Sequence, residues 1–511
     1  MSELNVHMNK LVKGTGILVI FGIYSYIINF LFKLIVARHY GSSDFGLFIL
    51  AQTIFCILVL LAGLGVKESI VRYIPYYVTK NKKSVLSGYL TFIFILPVIF
   101  SFILSFLLFI FAENVSVFFN FPAKFTLFLK LIAIVIPFST FNGIIKKIFL
   151  AEHKPWHNAI SYHFIENTVL LLGSCLIIYL NLPVVYLIIV LLISILMSAI
   201  YNVLIYKIKI HLPIIKTKTF LIKEWFNFSL PLFFTGVFAY IISWSDNLVI
   251  GKFLEPSQLG IYSICYSLAI FLVFFQTAFA NLFVPLISSN YAKKKFENIL
   301  FLFKHSAAWT FGLTFPFFLV ILLFSKQILL VLYGSEFVSG YSVLIIISIG
   351  ALINISTGLN KEILLLYKKT KFIFLVNVCI ATSNIMMNIL LIPVLGIIGA
   401  AITSAASISA QNLVFLIKAK QYQKLKFNFK YNLKFLIAGL PSIFIARMVF
   451  DLFANKTLEI LFAGTVYLIL YVSLLLLLRT PTKEDIRILL LVERKSGINL
   501  EFIKSVLRKI Y

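Results

Sequence analysis

The chain has 511 residues, of which 61% are hydrophobic and only 12% charged, and its formal net charge is +27. A soluble protein of this length carries about 25% charged residues to cover its surface, so this composition excludes water as the main solvent. The basic residues lie in short clusters between apolar runs, with no soluble domain to carry them. That placement argues against nucleic-acid binding and is how topology is written into membrane proteins.

The apolar runs are long and do not alternate, which selects spanning helices over a β-barrel. In chain order they fall near 14–37, 45–65, 86–112, 126–149, 160–180, 183–206, 228–251, 258–287, 301–324, 340–364, 372–392, 396–417, 431–453 and 458–478. The fold class expected is therefore all-α integral membrane with about fourteen transmembrane helices. The first run is too long for a signal-peptide core and is taken as a span. Cys56, Cys175, Cys265 and Cys379 lie far apart inside apolar runs and read as small buried hydrophobes, with no metal pattern and no cofactor implied.

With these spans, the 40 basic residues of the loops and tail sort 35 to one side and 5 (Arg38, Lys124, Lys252, Lys326 and Lys456) to the other. The positive-inside rule then puts the rich side, with both termini, in the cytoplasm. The opposite loops are short, which leaves no room for a catalytic or receptor domain outside. Residues 480–511 alternate Ile/Leu/Val with Lys/Arg, as expected of an amphipathic tail on an anionic inner leaflet.

Sliding the chain by 214 residues aligns 18–53 with 232–267 without a gap. Eight positions are identical, among them Gly22 with Gly236, Tyr26 with Tyr240, Ser43 with Ser257 and Gly46 with Gly260. Span 1 is thereby matched to span 7 in the same orientation. Two parallel six-helix halves follow, a known transporter plan with the substrate site between the repeats. The expected division is 1–215, 216–425, two additional helices over 426–479, and the tail 480–511.

Several segments resemble those of polysaccharide flippases. They are ARHYGSSDFGLFILAQT between spans 1 and 2, LGVKESIVRYIPYY after span 2, SWSDNLVIGKFLEPSQLGIYSICYSLA at spans 7–8, LYGSEFVSGYSVLIIISIG before span 10, and MNILLIPVLGIIGAAITSAAS at spans 11–12. In order and spacing they resemble the Wzx-type oligosaccharide flippases of the multidrug/oligosaccharidyl-lipid/polysaccharide exporter superfamily, over roughly residues 10–420. The resemblance implies two six-helix lobes in a V around a central cavity, working by alternating access in the cell membrane. It implies a polyprenyl-diphosphate-linked oligosaccharide as cargo, carried from the inner to the outer leaflet for surface glycan assembly.

A lipid-linked diphosphate combines an anionic head with a greasy tail, and a bare charge in hydrocarbon costs on the order of 20 kcal/mol in the idealised limit. Ionisable and polar residues of the spans are therefore the candidates. Tyr26, Asn29 and Lys33 share one face of span 1, and the repeat sets Tyr240, Ser243 and Asn247 at the same positions of span 7. Arg38 and Lys252 are repeat-related at the outer ends of those spans. Lys67 and Arg72, with Glu68 between them, follow span 2 as a candidate receiving mouth, and arginine suits bidentate phosphate contact. Lys304 in span 9 is a further candidate, with Lys130, Glu166 and the Asn360–Lys361–Glu362 run behind it. Asp246, the one aspartate in spans 1–12, is the candidate coupling site for H+ or Na+. Arg447 and Asp451 are spaced to pair with each other.

Competing readings are a peptidoglycan-precursor flippase and a multidrug/cation antiporter. An integral-membrane glycosyltransferase would want a paired-acid motif in a loop, and the only adjacent acids are Glu484 and Asp485 in the tail. The expected activity is transport, without enzymatic chemistry.

Overall fold

A computed structural model describes residues 3–210, 212, 218–422, 429–449 and 456–478. The expected divisions at 215 and 425 fall on segments outside these residues, as do Asp451 and the tail 480–511.

The described residues are helical, as a lipid solvent requires: a helix satisfies each amide within its own segment. The order is α1 (Glu3–Gly63), α2 (Val66–Thr79), α3 (Lys83–Ile110), α4 (Ala112–Phe118), α5 (Lys124–Ala151), α6 (Pro155–Asn158), a π-helical stretch (Ala159–Glu166), α7 (Asn167–Tyr179) and α8 (Tyr186–Lys209). Then come α9 (Ile222–Phe253), α10 (Pro256–Ala292), α11 (Phe296–Tyr333), a 3-10 turn (Ser335–Gly340), α12 (Tyr341–Thr357), α13 (Asn360–Leu366), α14 (Thr370–Leu395), α15 (Ile397–Lys420), α16 (Phe429–Val449) and α17 (Lys456–Leu477).

Eleven of these stretches are long and apolar enough to cross a bilayer, the first being Ile20–Gly63 with 44 residues. Forty-four residues rise about 66 Å as helix, twice a hydrocarbon core. The stretch is broken at Gly41, whose φ of 78° and ψ of 177° leave helical space. Only glycine adopts such angles without strain, so spans 1 and 2 lie on either side of Gly41. Span 10 is similarly divided between α12 and α13. The shorter α16 and the apolar Phe462–Leu477 part of α17 complete the expected series.

The residues form two compact units. One joins Ile17–Ser263 to Asn388–Gly396, so that α9 groups with the helices before it. In it α3, α8 and α2 pack on α5. Its core gathers Tyr73, Tyr77, Tyr89, Phe92, Phe149 and Trp225. The other unit contains Ile264–Met387 and Ile397 onward. There α12 packs on α15 and α11, and α16 and α17 pack on α11.

One contact in the first unit has the symmetry of the repeat. A Cβ on Gly46 would lie 1.8 Å from the Pro256 carbonyl oxygen, and one on Gly260 would lie 2.0 Å from that of Ser42. Gly46 and Gly260 are repeat partners, and Ser42 and Pro256 are separated by the same 214 residues. Each glycine thus lets its own repeat's backbone meet the other's, a small-residue contact of the kind that brings membrane helices together. A methyl group at either position forces a backbone shift, costing about 3 kcal/mol. Gly46→Ala and Gly260→Ala are expected to lower the thermal unfolding midpoint of the purified protein by several degrees. Gly22→Ala, with no atom within 4 Å of its added Cβ, is expected to leave it unchanged; equal behaviour of all three would remove the symmetric contact as a determinant of stability.

Candidate functional site

The helix α2 places the site. Val66, Ser69, Ile70, Tyr73, Ile74 and Tyr77 are its buried residues. They recur at the three- and four-residue spacing of one helical face. Tyr77 accepts a hydrogen bond from Trp225 Nε1 at 2.8 Å, and the Ser69 and Tyr89 hydroxyls are 2.7 Å apart. These contacts fix the helix roll, so that Lys67, Glu68, Val71 and Arg72 point the other way.

They point to a cavity of about 940 Å³ within the first unit. Its walls are largely apolar, with Phe55, Leu60 and Phe233 among them, and its polar groups are few: Lys67, Glu68, Arg72, Ser139, Thr235 and Tyr240. Few polar groups on an apolar wall is the usual construction of a small-molecule site.

The Lys67 ammonium has neither a hydrogen bond nor an ion pair among the described residues. Its Nζ lies 3.1 Å from where a Cβ on Gly143 would be, in space that any side chain there would take. Arg72 likewise has no ion pair among the described residues, and its guanidinium lies 4.2 Å from the centre of the Phe228 ring. Stacking holds the guanidinium plane while its N–H edge remains available for an oxyanion.

The neighbouring cations are occupied. Lys147 donates to both carboxylate oxygens of Glu68 at 2.8 and 2.9 Å. Lys146 donates to Glu166 at 2.5 Å, and Asn142 donates to the same oxygen at 2.9 Å. Glu166 closes the π-helical stretch, a geometry frequent at functional sites. Behind it Asn142, Ser161, Ser198 and Asn202 form a connected buried network. In the sequence Lys146 and Lys147 are two of the 35 basic residues that mark topology, and the four-residue spacing of Asn142 and Lys146 is the visible trace of this arrangement.

The remaining candidates lie elsewhere. Tyr26 and Arg38 are exposed and Lys33 half-buried on α1. Asn29 donates to Asn167 Oδ1 at 3.0 Å, which ties α1 to α7. Tyr240 lines the cavity while donating to the Thr53 carbonyl at 2.8 Å. Asn247 is buried and donates to Thr53 Oγ1 at 3.0 Å, and the Ser243 hydroxyl bonds its own helix at Ala239. Lys252 donates to the Phe118 carbonyl and lies 4.3 Å over that ring. Asp246 is 1% exposed and accepts from Tyr262 at 2.5 Å and Asn388 at 2.6 Å. Lys304 belongs to the other unit.

Comparison with known proteins gives the context of this cavity. A polysaccharide biosynthesis protein family matches residues 11–291, more than half of the chain. The chain belongs to that family. The MatE family also matches, over residues 231–390. A membrane protein of Methanocaldococcus jannaschii is 24% identical over 87% of this chain and 91% of its own length. A protein of Haloferax volcanii named "Probable low-salt glycan biosynthesis flippase" is 26% identical over 51% of this chain and 55% of its own length. Among solved structures, the lipid II flippase MurJ in an inward closed conformation matches with a TM-score of 0.68, covering 89% of this chain and 97% of that one at 19% identity. An inward-facing multidrug-resistance MATE transporter matches with a TM-score of 0.62 at 12% identity, over 78% and 94%. The fold is the two-lobed MurJ/MATE type, and the family member is a multi-pass membrane transporter.

Burial pushes the Lys67 ammonium down to about 8, and Lys146 adds to the depression; Lys147 acts the same way, while Glu68 opposes it. A lysine with a lowered pKa is charged below that value and neutral above it. Anion binding in the cavity is therefore expected to weaken by up to about tenfold per pH unit above pH 8. Lys67→Arg, permanently charged, is expected to flatten the profile between pH 7 and 9.5, measured by titrating a polyprenyl diphosphate into the purified protein. An unchanged wild-type profile across pH 8 would exclude Lys67 as the titrating contact.

Proposed function

We propose that the protein flips a polyprenyl-diphosphate-linked oligosaccharide from the inner to the outer leaflet of the cell membrane by alternating access, for surface polysaccharide or glycan assembly. The observation that carries this reading is the cavity's pair of cations without ion pairs among the described residues, Lys67 and Arg72, on largely apolar walls. An organic cation would be repelled there, whereas a diphosphate finds a point charge and a planar fork. The flippase name of the Haloferax volcanii relative supports the same cargo class.

In this reading both termini are cytoplasmic, as the 35-to-5 loop charges require. The Lys67 end of α2 then receives the head group while the tail stays in lipid. An inside-negative potential favours outward movement of the anion by about 2.3 kcal/mol per charge per 100 mV. Asp246 is the proposed site of the coupling ion, H+ or Na+. Hydrogen bonds from Tyr262 and Asn388 hold its carboxylate in place.

The test is a reconstituted flipping assay. Liposomes carry a labelled polyprenyl-diphosphate oligosaccharide, and exposure of the sugar is followed with an impermeant glycosidase. Lys67→Ala is expected to slow exposure at least tenfold, and Arg72→Lys by a smaller factor, since lysine keeps charge but not the fork. Protein-independent exposure, or a rate that survives Lys67→Ala, would sink the reading. Asp246→Asn is expected to remove any dependence on a pH or sodium gradient; if dependence persists in that variant, the coupling ion binds elsewhere.

A further inference from the structure

Behind the cavity wall stands a second lysine: Glu68 lines the cavity, and Lys147 holds Glu68 from α5. Lys67 Nζ packs against Gly143, and Lys147 lies one helical turn further along α5, on the same face. Lys147 is held by Glu68, the residue next to Lys67 on α2. Glu68 is the more exposed partner, with 53% of its side chain accessible against 32% for Lys147. An ion pair this open to water is weak. A diphosphate diester spreads two negative charges over several oxygens, and Lys67 and Arg72 together leave some of those oxygens without a cation. The charge of Lys147 acts against that of Lys67, and Glu68 offsets this repulsion.

We propose that Glu68 is a displaceable counter-ion and Lys147 a phosphate ligand held in reserve. An arriving diphosphate takes Lys147 from Glu68, the carboxylate turns to solvent, and the anion is held between Lys67 and Lys147 with Arg72 at its flank. Glu68 thereby sets how many negative charges a ligand needs: a singly charged phosphodiester gains little from breaking the pair, whereas a diphosphate diester replaces one carboxylate by a doubly charged partner. This rests on the reading of the cavity as the diphosphate site.

The test measures binding of geranylgeranyl diphosphate to the full chain in nanodiscs, with geranylgeraniol and inorganic pyrophosphate as parallel probes. Glu68→Gln is expected to bind geranylgeranyl diphosphate about tenfold more tightly, because Lys147 is released in advance. The double variant Glu68→Gln/Lys147→Met is expected to lose that gain, and Glu68→Gln/Lys147→Arg to keep it. Inorganic pyrophosphate is expected to compete only at higher concentration, and geranylgeraniol not to bind. If the Met double variant binds as tightly as Glu68→Gln, Lys147 never joins the ligand and the inference is overturned, while loss of binding in Lys67→Ala would leave the site itself standing. Wild-type protein that binds geranylgeranyl diphosphate no better than geranylgeraniol would overturn both. Pyrophosphate binding as tight as the lipid's would make the ligand a free anion and overturn the lipid-linked reading, with Lys147 still judged by the same variants.

Discussion

An ammonium group without a carboxylate, held among apolar side chains, is the constraint around which the first unit is organised. Isolated charge is costly away from water. Lys67 is tolerated because its basic neighbours on α5 are each neutralised, Lys146 by Glu166 and Lys147 by Glu68. The site is thus locally basic without being a run of free charges. One anion can tip it, and a cation has nothing to gain there.

Holding such a group in place demands rigidity behind it. The aromatic core around Tyr77, Tyr89 and Trp225 fixes α2 from one side. The Asn142–Ser198–Ser161–Asn202 network fixes α5 against α8 and the π-helical stretch from the other. Buried polar networks of this kind are specific because each member's partner must be present. Between the two clamps lie the α2 face with Lys67 and Arg72 and the open pair Glu68–Lys147. At the far end of the spans, Lys252 is committed to Phe118, which makes it an anchor in this conformation.

Much of the candidate list shared a residue type and a helical face without sharing a place. Asn29 and Asn247 were legible as polar residues in apolar runs. Both turn out to donate to neighbouring helices, Asn29 to Asn167 and Asn247 to Thr53. A buried amide needs partners as much as a ligand contact does, so polarity alone cannot separate the two roles. Lys67 and Arg72 were legible only as charges after a span. Nothing in the residue order says that α2 rolls them towards a cavity, or that α5 brings Lys146 and Lys147 beside them from some eighty residues away.

The sequence by itself determined that the chain lives in lipid and that its spans are helices, and it aligned span 1 with span 7 across 214 residues. These follow from run length, charge placement and backbone hydrogen-bond economy, which are properties of segments. It even marked Gly46 and Gly260 as partners, because a contact that must accommodate two backbones keeps a glycine in both copies. Only the tertiary structure decided which cations are paired and which are left open. That choice depends on the separation of side chains from α2, α5 and the π-helical stretch, and charge interaction changes steeply over a few ångströms in a medium of low dielectric.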